Sequence, residues 1–147
     1  MVEAHDEAAH AGLPANRYNP HAWIVGEPEI GEGVWIGAFT VVDGSGGLKI
    51  GLGCDISAGA QVYTHSTVAR CVSGHTAAIQ RASTSIGDHV HIGAAAVVLM
   101  GSRIGSHSIV AAGAVVKEFT DAPPYSLLVG VPARVILDGA RKIADAG

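Results

Sequence analysis

Aliphatic residues recur along this chain at intervals of six. Ile86, Ile92, Val98, Ile104, Val110 and Val116 keep that spacing without a break, and small or β-branched residues (Val90, Ala96, Ser102, Ser108, Ala114, Thr120) stand four places after each. Gly87, Gly93, Gly105 and Ala111 directly follow four of them. An α-helix buries a stripe only when apolar positions recur about every 3.6 residues, so a strict hexad would wind around its surface. Strand geometry accepts the hexad. Residues two apart share a face, so each aliphatic residue and the small residue two places before it point inward together. Three hexads close one triangular turn of a solenoid, and glycine after the aliphatic residue suits a corner whose torsions disfavour a β-carbon.

The same pattern starts earlier, at Ile24, Ile30, Ile36 and Val42, with Val34 and Thr40 at the small positions. The segment D-G-S-G-G-L-K between Val42 and Ile50 is two residues too long and predicts a bulged corner. Ile50, Ile56 and Val62 resume the repeat, with Cys54, Ala60 and Ser66 expected inward. The period is then lost from Val68 to Thr84. A solenoid insertion must leave at a corner, and long ordered loops are usually functional, so residues 67–84 are the first place to look for a site. Pro123 and Pro124 end the regular coil because proline cannot donate to a ladder. The expected organisation is therefore all-β: an N-terminal lead over 1–21, with His5 and His10 in solvent, a β-helix over 22–136 ending in one irregular strand from Ser126 to Ile136, and a cap over 137–147, helical from Leu137 to Ala146.

Composition narrows the function classes. At 147 residues the chain is one domain, and its net charge of −4 gives no footprint for nucleic acid. Two cysteines, Cys54 and Cys71, make no disulfide framework and lack metal spacing. No N-terminal charged-then-apolar signal and no apolar run of about 18 residues is present, which reads as soluble and cytoplasmic, without a membrane span.

The hexads, above all I-G-D-H-V-H-I-G-A-A-A-V-V-L-M-G-S-R-I-G-S-H-S-I-V-A-A-G-A-V-V-K-E followed by P-P-Y-S-L-L-V-G-V-P-A-R-V-I, resemble the hexapeptide-repeat acyltransferases across roughly residues 22–136. The resemblance implies a left-handed parallel β-helix, an exception to the usual crossover handedness. The ending is similar to that of the sugar and xenobiotic acetyltransferase branch, which implies a homotrimer that takes acetyl-CoA between neighbouring coils and acetylates a sugar or glycan hydroxyl. No metal is expected.

His65, in V-Y-T-H-S-T where the coil yields to the insertion, is the candidate general base. Acyl transfer from a thioester to a hydroxyl needs a base near neutral pH, and imidazole titrates near that range. The resembling enzymes carry proline after this histidine, where this chain has Ser66. His75 is a second candidate if the loop folds back. His89 and His91 flank inward Val90 and should project outward on one face; two such histidines chelate zinc only with a third ligand from elsewhere. His91 stands where the resembling enzymes often have a tryptophan near the acceptor. The resemblance places coenzyme A against Ala94, Ala112, Val116, Lys117 and Arg134. Asp43, with Thr40 nearby, is expected to contact the acceptor hydroxyls.

Three rival readings share the fold. One is an N-acetyltransferase of a nucleotide-linked amino sugar, whose neutral amine acceptor needs a base less. A second is a γ-carbonic anhydrase, in which His65 lies near the first zinc ligand's place but Ala94 and Leu99 occupy the other two. The third is a trimeric scaffold without catalysis.

Overall fold

A computed structural model describes residues 13–147. His5 and His10 lie outside the described residues. From Trp23 onward the chain winds as a left-handed parallel β-helix with three faces. β1 (Trp23–Gly26), β2 (Glu29–Ile30) and β3 (Trp35–Ile36) make the first coil. β4 (Val41–Gly44), β5 (Leu48–Ile50) and β6 (Asp55–Ile56) make the second. The third contains β7 (Gln61–Val62), β10 (Thr84–Ile86) and β11 (His91–Ile92), and carries between its first two sides β8 (His65–Ser66), helix α1 (Val68–Val72) and β9 (Gln80–Arg81). β12 (Val97–Val98), β13 (Arg103–Ile104) and β14 (Ile109–Val110) follow, then β15 (Val115–Val116), β16 (Asp121–Ala122) and β17 (Leu127–Gly130). β18 (Ala133–Ile136) folds back antiparallel on β17, and α2 (Arg141–Ala144) lies beyond it. The expected single last strand is thus a hairpin, and the expected C-terminal helix is confined to four residues.

The hexads stack in register. Ile36, Ile56, Ile92, Val110 and Leu128 face inward on one side, and Val42, Val62, Val98 and Val116 on another. Ile50, Ile86 and Ile104 line the third. All these side chains are at most 3% exposed. Burying each stabilises the fold by about 1.5–3 kcal/mol relative to exposure. Ile24, Ile30 and Val34 are only half-buried, as is Thr120 at the other end, because among the described residues no further coil stacks on the first or last. Ser66 also misses its expected inward place. The chain has already left the coil there, and Thr84, 1% exposed, fills the small inward position two places before Ile86.

The corners revise the sequence argument for glycine. Left-handed torsions fall three places after the aliphatic residue: Gly53, His89, Ala95, Gly101, His107, Gly113, Phe119 and Tyr125 all have positive φ. The glycine directly after the aliphatic residue has ordinary torsions but sits against the next coil. A Cβ on Gly93 would lie 2.5 Å from the Ala112 nitrogen, and one on Gly37 would lie 2.8 Å from that of Ala58. Close approach, rather than torsion, explains the glycines in the I-G pairs.

The outer faces differ. Glu29, Lys49, Ser85, Arg103 and Asp121 stack on one. Trp23, Val41, Gln61, Val97 and Val115 stack on the next, an apolar face interrupted only by Gln61. No helix among the described residues is long and apolar enough to cross a membrane.

Candidate active site

Val42 and Val62 are register partners, so the residues after them meet at one corner of adjacent coils. Asp43 from β4 lies there, 2% exposed. Its Oδ1 accepts the Ser45 N–H at 2.9 Å, its Oδ2 accepts the Thr64 N–H at 3.0 Å, and the same Oδ2 lies 2.5 Å from Nδ1 of His65. Burial alone would raise the Asp43 pKa. Hydrogen bonds from Ser45, the Thr64 backbone and His65 outweigh it and hold the carboxyl well below the usual range. An ionised carboxylate only accepts, so the proton in the His65 contact sits on Nδ1, and the tautomer this favours leaves Nε2 as the acceptor. The His65 side chain is 34% exposed, so the ring is held from below and open above.

Thr64 locks the pair. Fully buried, it accepts the Gly46 N–H on Oγ1 at 2.8 Å, and that hydroxyl lies 2.9 Å from the Asp43 carbonyl oxygen. A Cβ on Gly46 would collide with the Thr64 carbonyl. The overlong D-G-S-G-G corner is therefore a strap folded across Thr64. On its other side Tyr63 presents its ring edge to His65, with centroids 6.1 Å apart, and donates its hydroxyl to Gln61 Oε1 at 2.6 Å. Burial, helped by the Asp43 charge, raises the Tyr63 pKa and keeps it a phenol. The Thr84 hydroxyl donates to the Tyr63 carbonyl at 2.8 Å and tethers the chain where it returns from the insertion.

Two residues expected to face the acceptor do not. Thr40 is 1% exposed and donates to the Gly37 carbonyl, because its place in the hexad points inward. Asp43 lies beneath His65 with its oxygens already engaged, which makes it a positioning residue. Val116 also points into the core, fully buried, so only its backbone faces outward. Ala94 and Ala112 are exposed on one corner of adjacent coils, where the Gly113 N–H donates to the Ala94 carbonyl at 2.9 Å. Lys117 is exposed on the corner that carries His65, two coils further on. Arg134 is exposed on β18.

His75 occupies the exposed turn after α1. His89 is a corner residue rather than a strand neighbour of His91. Its ring stacks on His107 at 5.3 Å, and His107 stacks on Tyr125 at 5.0 Å. His91 faces outward from β11 into a hollow of about 450 Å³ bounded by His107, Ile109 and Ile143, away from the His65 corner. Among the described residues no group of three His, Cys, Asp or Glu side chains is placed to hold a metal ion. Cys54 is buried, and burial raises its pKa; Cys71 is exposed.

The Asp43–His65 contact was absent from the sequence reading, although a signal existed. Aligning Val42 under Val62 by the hexad puts Asp43 beside Tyr63 and one residue from Thr64.

Two family models match: the bacterial transferase hexapeptide (six repeats) over residues 83–118 and the hexapeptide repeat of succinyl-transferase over residues 29–64. The carnitine operon protein CaiE of Escherichia coli is 30% identical over 138 residues, covering 90% of this chain and 67% of that protein. A hexapeptide-repeat-containing acetyltransferase from Vibrio cholerae is similar in structure, with 33% identity, a TM-score of 0.65, and 74% of this chain and 61% of that one covered. AntD from Bacillus cereus, an N-acyltransferase solved with dTDP and coenzyme A, shares 25% identity at a TM-score of 0.72 over 85% of this chain and 70% of that one. The chain spans about two thirds of the length of these proteins, and a shorter match covers only a fifth of its relative. It belongs to the hexapeptide-repeat acyltransferase superfamily.

Proposed function

We propose that this protein transfers an acetyl group from acetyl-CoA to a hydroxyl of a sugar or glycan acceptor, with His65 as general base, working as a homotrimer in the cytoplasm. The observation that carries the reading is the Asp43–His65 contact at an open corner beside the insertion. Asp43 fixes the ring and favours the tautomer that leaves Nε2 basic. Nε2 takes the acceptor proton as the oxygen attacks the thioester carbonyl carbon. When the carbon–sulfur bond breaks, the imidazolium returns that proton to the departing thiolate, so free coenzyme A and the acetyl ester leave and the base is restored. Lys117, on the same corner, and Arg134 are the cations offered to the donor's phosphates, with the exposed backbone at Ala94 and Ala112 supporting the pantetheine arm.

The likeness to AntD favours a second reading, N-acylation of a nucleotide-linked amino sugar. An amine that arrives neutral needs the base less, which separates the two.

A thermal-shift titration tests the donor: acetyl-CoA at about 100 times its dissociation constant should add roughly 2.7 kcal/mol of stability. His65→Ala should lower turnover, read by thiol release, by at least about 10² while leaving that shift intact. No shift with acetyl-CoA would end the transferase reading. An unchanged rate in the variant would remove His65 from the mechanism and favour the amine acceptor.

A further inference from the structure

The insertion returns to the coil through a two-residue ribbon in which His65 of β8 is paired directly with Arg81 of β9. The Ala82 N–H donates to the Thr64 carbonyl at 3.1 Å, which makes 65 and 81 the non-hydrogen-bonded kind of antiparallel pair. In such pairs the two side chains leave the same face of the ribbon with their Cβ atoms about 4.5–5.5 Å apart. Arg81 is exposed, and among the described residues the ion pairs are His65–Asp43 and Arg141–Asp138, so its guanidinium has no carboxylate partner among them.

The surrounding sequence adds no opposite charge. The chain has a net charge of −4, yet it carries no Asp or Glu between Asp55 and Asp88, a stretch that contains Arg70 and Arg81. The carboxylate bonded to the base, Asp43, is buried and consumed by His65, Thr64 and Ser45. A cation held beside a base and surrounded by a segment without carboxylates attracts anions, and a guanidinium grips carboxylate and phosphate groups through paired N–H donors.

We infer that Arg81 is a specificity residue that holds an anionic substituent, carboxylate or phosphate, of the acceptor close to the oxygen or nitrogen His65 activates. This rests on His65 being the base of the transfer reaction. The donor's own phosphates are the competing source of negative charge. They lie at the far end of the pantetheine arm from the thioester, whereas Arg81 is the direct cross-strand neighbour of the base, which favours the acceptor.

Two measurements on the full chain test this. First, inorganic phosphate is titrated while the His65 ring is followed by NMR. Phosphate should bind saturably and move the His65 titration upward, since a nearby anion favours the imidazolium. Arg81→Gln should abolish the saturable response, and Lys142→Gln, an equal change in net charge on α2, should preserve it. A response absent in the wild type, or identical in Arg81→Gln, overturns the inference whether or not the protein transfers acetyl groups. Second, transfer to glucuronate and glucose 6-phosphate is compared with transfer to glucose. Arg81→Gln should raise KM for one or both anionic acceptors by tenfold or more, leave glucose unchanged, and leave the affinity for coenzyme A unchanged. Carboxylate and phosphate are distinguished by which acceptor responds. Weakened coenzyme A binding instead would assign Arg81 to the donor and overturn the inference, while loss of all acetyl-CoA binding in the wild type would sink the transferase reading and leave the phosphate result to stand alone.

Discussion

The stacked coils and the segment from His65 to Arg81 belong to one continuous chain but are stabilised differently. In the coils every strand has a parallel neighbour, and the side chains it turns inward form continuous columns of Ile, Val and Leu. The insertion has two paired residues on each side of its neck and a five-residue helix with no buried side chain and no side-chain cap. The repeat supplies rigidity, and the one place it is broken supplies a position where an ionisable side chain escapes the column. His65 uses both. It is anchored through Asp43 and Thr64 of the rigid corner, and it opens toward a segment whose sequence is free of the hexad rule.

The largest effect should come from damaging the column. Ile92 is fully buried between Ile56 and Val110. Ile92→Ala removes three carbons from a space that its neighbours cannot fill without breaking register, and should cost about 2–5 kcal/mol, read as a lower urea midpoint at unchanged slope. A cost below about 1 kcal/mol would mean that the coils relax independently of their columns, and the contrast between rigid coil and loose insertion would fail.

Next is the bond that joins the two regions. Asp43→Asn keeps the size of the side chain but can offer its amide nitrogen to Nδ1 of His65, which favours the tautomer with the proton on Nε2 and silences the base. Turnover should fall by about tenfold to a hundredfold at neutral pH. Through Asp43, the stability of the wild type should depend on pH only in acid. The folded-state pKa of Asp43 lies below the ordinary aspartate value of 3.8, so the carboxylate's contribution is fully present above that value and is lost as pH falls through the folded pKa. The wild type should therefore lose stability more steeply than Asp43→Asn below about pH 4. Parallel acid limbs in the two proteins would detach Asp43 from the anchoring role.

Much of the solenoid was legible because a period of six leaves few alternatives: Ile86 to Val116 fixes strand, corner and stacking at once. Where the period ended, legibility ended with it. His65 is recognisable from its place at the break, but the sequence places Asp43 toward the acceptor rather than beneath the base because a corner aspartate has no local signal of burial; its partner lies 22 residues away in sequence and one coil away in space. Arg81 was invisible for a related reason. Its neighbour is set by an antiparallel ribbon outside the hexad, and no spacing in the sequence announces which residue of an irregular insertion will return beside the base. The helical cap was overextended because Asp138 and Gly139, in the turn before α2, delay the helix to Arg141.

The smallest effect should fall on α1. Val68 and Val72 stand four apart on one helical face and are 66% and 83% exposed. In the isolated chain neither side chain loses contact with water, so Val72→Ser should move the urea midpoint by no more than about 0.5 kcal/mol in stability. The amides of α1 should exchange with solvent far faster than those of β11 or β14, because opening five residues without buried contacts breaks nothing in the columns. A loss above about 1 kcal/mol in Val72→Ser would show that this face is covered in solution. The insertion would then be part of a packed surface, and the looseness that separates it from the coils would belong to the single chain alone.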